Sequence, residues 1–120
     1  MLRLTPNPTF TGTVAIPVPG DAVQKVEFVF NHRDRDGLKS LYEELSRKPD
    51  ETDKEFSKRQ DKAIKGIVAG WKKAINDEDE GLDTDYTPDA LQKLLVAYPG
   101  AGGAIFEGFT AALTKGRVGN

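Results

Sequence analysis

The chain has 120 residues, the length of one ordinary domain, with 17 Lys and Arg against 19 Asp and Glu and a formal net charge of −2. Balanced charge argues against a dedicated nucleic-acid-binding protein, which usually presents a strongly basic face. The absence of cysteine excludes disulfides, cysteine nucleophiles and thiolate metal sites. No apolar run approaches the ~18 residues that span a bilayer, and the first residues lack a signal-peptide stretch. We therefore expect one soluble, cytosolic domain over 1–120 with no nucleic-acid or membrane partner.

The N-terminal part of the chain predicts a β-hairpin at about 9–31. The first eight residues include two prolines and indicate an irregular arm. From Thr9 to Ile16 the residues on one face alternate with threonines on the other, which is the period of a half-buried strand. A second alternating run, with Phe28 and Phe30 on one face, follows a Pro-Gly-Asp turn. An isolated hairpin is marginally stable in water, so another element must cover its apolar face.

The remaining sequence predicts four helices and a flexible tail. The helices are expected at about 34–48, 52–76, 87–98 and 101–113, and the tail at 114–120. Apolar residues recur three or four positions apart in each helix. The second helix has the longest stripe, which runs from Phe56 through Trp71 to Ile75. Two strands followed by four helices indicate a predominantly helical α+β fold, with the hairpin packed on the helices.

Three of the predicted helices have recognisable start signals. Asp34 or Asp36 can cap the first helix, because a carboxylate accepts hydrogen bonds from the free N–H groups of the first turn. Thr52 begins a capping-box spacing for the second. Thr87 followed by Pro88 marks the start of the third, since proline at the first helical position loses no hydrogen bond.

No catalytic or metal-binding constellation is present in the sequence. His32-Arg33-Asp34 copies the opening of a kinase catalytic loop, but the chain is too short for a kinase and lacks a glycine-rich phosphate loop. His32 is the single histidine, which excludes two-histidine zinc motifs. The acidic segment 76–85 departs from the calcium-loop pattern at Gly81 and Pro88. We interpret it as a solvated loop, with weak cation binding left open, and expect no cofactor and no enzymatic activity. A small metal-dependent enzyme that uses these acids is a minor alternative.

The helical stripes offer more apolar surface than one small fold readily buries. Some of that surface can remain for a partner. By elimination, the residues indicate an interaction protein or an assembly factor.

A more specific indication comes from an ordered series of features between Gly70 and Phe109. A Trp-bearing helix runs into an Asp/Glu/Gly turn, an aromatic-Thr-Pro helix start follows, a Leu-Leu helix ends at Tyr-Pro, and a last helix carries an Ile-aromatic stripe. The residues concerned are Trp71, Ile75, Asp77, Gly81, Tyr86-Thr87-Pro88, Leu91, Leu94-Leu95, Tyr98-Pro99, Ile105-Phe106 and Phe109. This series resembles the tail assembly chaperones of long-tailed, lambda-like phages. The resemblance covers 70–109 well and the rest of the chain loosely.

The resemblance implies a non-enzymatic role in the host cell cytoplasm. Such proteins associate with the tape measure protein, keep it soluble, help recruit tail tube subunits and leave before the tail is mature. Their genes typically yield a longer product as well, by programmed ribosomal frameshifting near the end, and Thr114-Lys115-Gly116 would suit a slippery codon pair. We also expect a homo-oligomer. The main alternative is a structural virion subunit such as a head–tail connector or tail terminator.

Five aromatic residues are the candidate partner contacts: Trp71, Tyr86, Tyr98, Phe106 and Phe109. A tape measure helix presents a long apolar stripe, which a groove or helix face can cover with anchors three and four residues apart. Aromatic residues dominate such surfaces because they bury a large area per immobilised torsion. For each of the five, core packing is the favoured interpretation and partner contact the second.

Overall fold

The computed structural model describes residues 1–116, which form three strands and four helices. In chain order they are β1 (Thr9–Ile16), β2 (Gln24–Asn31), α1 (Arg35–Leu45), α2 (Asp53–Ile67), β3 (Val68–Trp71), α3 (Pro88–Ala97) and α4 (Ala101–Lys115). The α+β class is confirmed: a small antiparallel sheet leads the chain and helices make up most of the rest. None of the helices in this part of the chain is long and apolar enough to cross a membrane.

The predicted hairpin forms, and one of its faces is buried. β1 and β2 pair antiparallel from Thr9↔Asn31 to Ile16↔Gln24. The alternating apolar residues of both strands point to the same side of the sheet. There they join the core with residues from the helices and from β3, and the buried set is Val14, Ile16, Val26, Phe28, Phe30, Leu41, Ala63, Ile64, Ile67, Val68, Trp71, Leu91, Leu94, Ala101, Ile105 and Phe109. The helices therefore supply the cover that the hairpin requires.

The second helix is shorter than the sequence predicts. Helix α2 ends at Ile67 instead of about residue 76, and Val68–Trp71 forms a third strand in the order β1-β2-β3. Phe28 pairs with Trp71, and the register shifts between Val29 and Phe30. Ile75, expected in the helical stripe, is 91% exposed.

The free edge of β2 explains this change from helix to strand. Once β1 has paired with one side of β2, the backbone groups on its other side still require hydrogen-bond partners. Beyond β3, the Lys72 N–H donates to the Glu27 carbonyl at 2.9 Å, and the Glu27 N–H donates to the Glu80 carbonyl at 2.9 Å. Gly66 and Gly70 each weaken a continuing helix by about 1 kcal/mol relative to alanine, and β-branched Val68 suits a strand. Sheet pairing therefore outweighs the helical spacing of the apolar residues.

The expected helix starts are confirmed by their hydrogen bonds. Of the two candidates for α1, Asp34 is the cap, and its Oδ1 accepts from the Gly37 N–H at 2.8 Å. Thr52 Oγ1 accepts from the Glu55 N–H at 3.1 Å, and Thr87 Oγ1 from the Ala90 N–H at 2.9 Å. The His32-Arg33-Asp34 sequence thus connects the end of β2 to a capped helix and is not part of a kinase catalytic loop.

Two helix ends differ from the expected positions. Helix α1 stops at Leu45, before the expected residue 48, because Ser46 turns to an extended backbone and its Oγ donates to the Tyr42 carbonyl at 2.8 Å. Helix α4 continues to Lys115, so Thr114 and Lys115 belong to the helix and not to a tail. The remainder of the predicted flexible tail, 117–120, lies outside the described residues.

Helix α4 crosses β1 at a contact between two glycines. A Cβ on Gly12 would lie 2.8 Å from the Ala112 Cβ, and a Cβ on Gly108 would lie 2.9 Å from the Thr13 carbonyl oxygen. Real Cβ atoms essentially never come this close to another heavy atom. The absence of side chains at Gly12 and Gly108 therefore lets the helix backbone approach the strand and seats Ile105 and Phe109 against the sheet.

A partly buried ion pair holds the connection between α1 and α2. The Arg59 guanidinium donates to both carboxylate oxygens of Glu51, at 2.6 to 3.0 Å, and also to the Glu44 carbonyl oxygen. The Lys48 N–H donates to the same carboxylate at 3.0 Å. These donors, Arg59 first, hold the pKa of Glu51 below its usual value of 4.5. The connection is thereby fixed beside the ends of both helices.

The glycine contact predicts opposite effects for two alanine substitutions in α4. Gly108→Ala gains helix propensity, but its Cβ meets backbone, and overpacking of this kind costs about 1–3 kcal/mol. Gly103→Ala has open space around its Cβ and should gain up to about 1 kcal/mol. Urea denaturation should show a net loss for the first variant and a gain for the second. Equal stabilisation by both would contradict the contact.

The ion pair predicts a pH-dependent contribution to stability. Because the folded pKa of Glu51 lies below the unfolded value near 4.5, the contribution is complete above that pH and is lost as pH falls through the folded pKa. Glu51→Gln should lower the melting temperature at neutral pH, and its difference from the parent should shrink as the pH falls below 4.5. The control is Glu43→Gln, which removes an exposed carboxylate that forms no ion pair in residues 1–116. A parallel pH dependence for parent and Glu51→Gln would refute this prediction.

Candidate partner-binding surface

The five aromatic candidates lie at three separate places in the fold. Trp71 and Tyr86 form one cluster, and Tyr98 lies near it at the end of α3. Phe106 lies on another surface, where its ring contacts Tyr42. Phe109 is fully buried against the sheet, with its ring centroid 5.4 Å from that of Phe30. The structure therefore does not bring the five together into one site.

Trp71 and Tyr86 fasten the segment before α3 to the sheet. The Trp71 ring is edge-on to Tyr86, with a centroid separation of 5.0 Å, and edge-on to Phe28, at 5.7 Å. Its Nε1–H donates to the Thr84 carbonyl at 2.7 Å, and the Tyr86 hydroxyl donates to the Val68 carbonyl at 3.4 Å. Burial raises the pKa of Tyr86 above its usual value, so the hydroxyl stays protonated as a donor. In this conformation both side chains serve internal packing.

Tyr98 is half-buried where α3 ends. Its N–H donates to the Leu94 carbonyl at 3.0 Å, which closes the last turn of the helix. Its side chain lines a shallow depression with Leu82 and Leu94 and keeps some surface exposed to solvent. The Tyr98 side chain therefore contributes to internal packing and is also partly accessible to a partner.

Phe106 lines a depression on the helical side, which we call the α2–α4 groove. The groove is formed by α2, α3 and α4 with the end of α1, and its volume is about 570 Å³. Its lining residues are Leu45, Ser57, Gln60, Asp61, Ile64, Leu95, Val96, Pro99, Gly102, Gly103 and Phe106. Apolar side chains dominate the α3 and α4 walls, whereas the α2 wall carries polar groups. The groove thus has an apolar trough with one polar rim.

Gly102 and Gly103 shape the α4 wall of this groove. A Cβ on Gly103 would meet nothing within 4 Å, so the space beside it is open to a ligand. On the opposite rim, Asp61 Oδ2 accepts from the Gln92 side-chain amide at 3.1 Å, which ties α2 to α3. The rim therefore has a defined position and presents a carboxylate next to apolar surface.

Two exposed residues on this side were not among the five candidates. Val96 lines the groove and is 71% exposed, and Tyr42 beside Phe106 is 49% exposed. Tyr42 lies on α1 next to the buried Leu41. Val96 lies outside the stripe of α3 that contains Leu91, Leu94 and Leu95. This position in the sequence already indicates that Val96 is not a core residue. An apolar side chain off the buried stripe of a helix is a candidate contact.

The acidic segment has a structural role in its own turn. Asp79 Oδ2 accepts from the Ile75 N–H at 2.8 Å and from the Asn76 N–H at 3.3 Å. The Ile75 hydrogen bond is the main reason why the pKa of Asp79 lies below its usual value. Within 1–116, no three His, Asp or Glu side chains are grouped so that they could hold a metal ion. The geometry of this segment is that of a turn held by its own carboxylates.

Comparison with known proteins provides the family assignment. The family model described as phage tail assembly chaperone matches residues 1–120. Searches of curated proteins and of solved structures returned no match. A family match over the whole sequence agrees with the resemblance seen between Gly70 and Phe109. This chain therefore belongs to the phage tail assembly chaperone family.

Proposed function

We propose that this chain binds the tape measure protein during tail assembly through the α2–α4 groove, without catalysis. In this proposal it keeps the tape measure protein soluble in the host cytoplasm and helps recruit tail tube subunits. It then leaves before the tail is mature and is not retained in the virion. Membership of the family supports the general role in tail assembly, and the groove supplies a surface for it.

The observation that carries the proposal is the exposed apolar wall of the groove. A folded chain readily buries a valine, yet Val96 is 71% exposed beside Leu95 and the partly buried Phe106. Apolar surface of this kind, rimmed by polar groups, is typical of protein interaction sites. Phe106 and Tyr42, whose ring centroids are 5.5 Å apart, extend the apolar surface from the groove toward α1.

An amphipathic helix fits such a trough between helices. A docked helix would place residues three or four apart on Val96 and Phe106, and the glycines of α4 would let its backbone come close. Asp61 on the rim would favour a lysine or arginine beside the apolar stripe of the partner. Trp71 and Phe109 lie in the core and stabilise the scaffold of the groove, while the partly exposed Tyr98 is left as a second contact.

Co-expression with the neighbouring tape measure gene tests the proposal. The tape measure protein should become soluble and co-purify with this chain. Val96→Asp places a charge in the groove and removes the contact of a valine, worth about 1.5–3 kcal/mol when fully buried, so binding should weaken by roughly tenfold or more. The control is Val23→Asp, a change of the same residue type at a 55% exposed position next to β2.

Three outcomes would contradict the proposal. The first is an insoluble tape measure protein with no co-purification, and the second is an equal loss of binding in Val96→Asp and Val23→Asp. The third is detection of this chain by mass spectrometry in mature particles, which would favour the structural-subunit alternative. In contrast, its presence in assembly extracts and absence from mature particles would support a chaperone.

We also propose that the gene yields a longer product by frameshifting near its end. Thr114 and Lys115, whose codons would form part of the slippery site, lie in the last turn of α4. A C-terminal extension that begins after them would therefore leave the strands and helices of 1–115 unchanged. Sequencing of the gene and of its protein products tests this. The absence of a slippery heptamer or of an overlapping downstream frame would contradict it.

A further inference from the structure

The outer edge of β1 has unpaired backbone groups. The His32 N–H donates to the Pro8 carbonyl at 2.8 Å, so Pro8 and His32 form a hydrogen-bonded pair of the antiparallel ladder. Hydrogen-bonded pairs recur at every second residue of an antiparallel ladder, so the even-numbered residues of β1 bond to β2. The backbone groups of the other residues point outward, and these residues are Thr9, Thr11, Thr13 and Ala15. These four residues are exposed, and no residue in 1–116 forms a hydrogen bond with this edge. The strand also carries no charged residue, although charge is a common protection of sheet edges.

A groove runs along this edge beneath the overhanging side of α4. It has a volume of about 500 Å³ and is lined by Phe10, Thr11, Gly12, Thr13, Glu27, Gly108, Ala111, Ala112, Lys115 and Gly116. The lining residues of α4 above the edge are mostly small, which leaves room for side chains of an added strand. On the opposite, open face of the sheet, Glu27 provides a carboxylate that forms no ion pair among the described residues.

The N-terminal arm has the pattern that this edge requires. Met1, Leu2 and Leu4 are 109%, 97% and 101% exposed, so the arm buries none of its apolar side chains in its own chain. Leu2 and Leu4 alternate with Arg3, which is the period of a strand with one apolar face. Residues 1–5, when extended, reach at most ~18 Å, enough to cover Thr9 to Thr13.

We propose that the arm of a second copy, residues 1–5, adds to the outer edge of β1 as a fourth strand. Leu2 and Leu4 of that copy face the small residues under α4, and Arg3 lies on the open face near Glu27. The backbone groups of Thr9, Thr11 and Thr13 obtain partners, and the exposed side chains of Leu2 and Leu4 lose contact with water. The interface joins different surfaces of the two copies, so it leads to a reciprocal dimer, a larger closed ring or an open filament.

Other occupants of the edge fit it less well. Direct pairing of two β1 strands, which would lie about 4.8 Å apart, would crowd the two α4 helices that cross them, because packed helices need about 8–10 Å. Folding of the arm onto its own β1 would require a reversal within Thr5–Pro8, and the exposure of Leu2 and Leu4 shows that the arm is not folded back. The groove beside α4 is a different surface from the α2–α4 groove, so this inference does not depend on the proposed binding of the tape measure protein.

Sedimentation velocity of the full chain over a hundredfold concentration range tests the inference. The parent should increase in mass with concentration. Leu2→Asp/Leu4→Asp should remain monomeric, and its fold should be unaffected because both side chains are fully exposed. Thr11→Pro should also remain monomeric, since it removes an outward N–H and no bond to β2. Ile75→Asp, which changes a 91% exposed residue elsewhere, should assemble like the parent.

A charge-reversal experiment distinguishes the specific arm contact from non-specific association. Arg3→Glu and Glu27→Arg should each weaken assembly severalfold, and the two changes combined should restore it. A parent that is monomeric at every concentration, or an arm variant that assembles like the parent, would overturn the inference. Loss of assembly in Val96→Asp with retention in Thr11→Pro would place the arm in the α2–α4 groove and would also overturn it. Retained assembly with failed tape measure binding would reject the proposed function alone.

Discussion

The close packing of α4 against β1 determines where the core and the α2–α4 groove lie. Gly12 and Gly108 bring a helix backbone against a strand with no side chain between them. This approach sets Ile105 and Phe109 against Phe30 in the core, and the helical period then directs Phe106 away from the sheet toward α2 and α3. The same helix thus closes the core with one face and forms a wall of the α2–α4 groove with another.

This arrangement relates the architecture to a role in assembly. An assembly chaperone must bind apolar surface reversibly, so its own contact surface has to be apolar, accessible and limited in extent. The α2–α4 groove has these properties, and its walls are positioned by the core and by the Gln92–Asp61 and Arg59–Glu51 contacts. The sheet edge is a second accessible surface, and its backbone groups select extended chain instead of a helix. The proposed site for the tape measure protein and the proposed site for a second copy are therefore separate surfaces.

Much of the fold could be predicted from local signals in the sequence. The hairpin follows from period-two alternation, and the starts of α1, α2 and α3 follow from Asp34, Thr52 and Thr87, whose side chains act on their own first turns. The third strand could not be predicted in this way, because Val68–Trp71 forms it in response to the free edge of β2, a long-range condition that helical spacing does not reveal. The candidate site could be predicted only in part. Of the aromatic candidates, Phe106 lies at the α2–α4 groove, whereas Trp71 and Phe109 lie in the core. Val96, which lines the groove, was not among the candidates. A stripe of apolar residues shows that they are buried against something, but only the packing of the whole chain shows which surface stays exposed.

Site-specific photo-crosslinking can show whether the tape measure protein binds in the α2–α4 groove. A benzophenone amino acid would replace Val96 in one sample and Val23 in another, each co-expressed with the tape measure protein. A covalent adduct with the tape measure protein is expected from position 96 and none from position 23. Adducts from position 23 alone, or none from position 96 while the two proteins still co-purify, would contradict it.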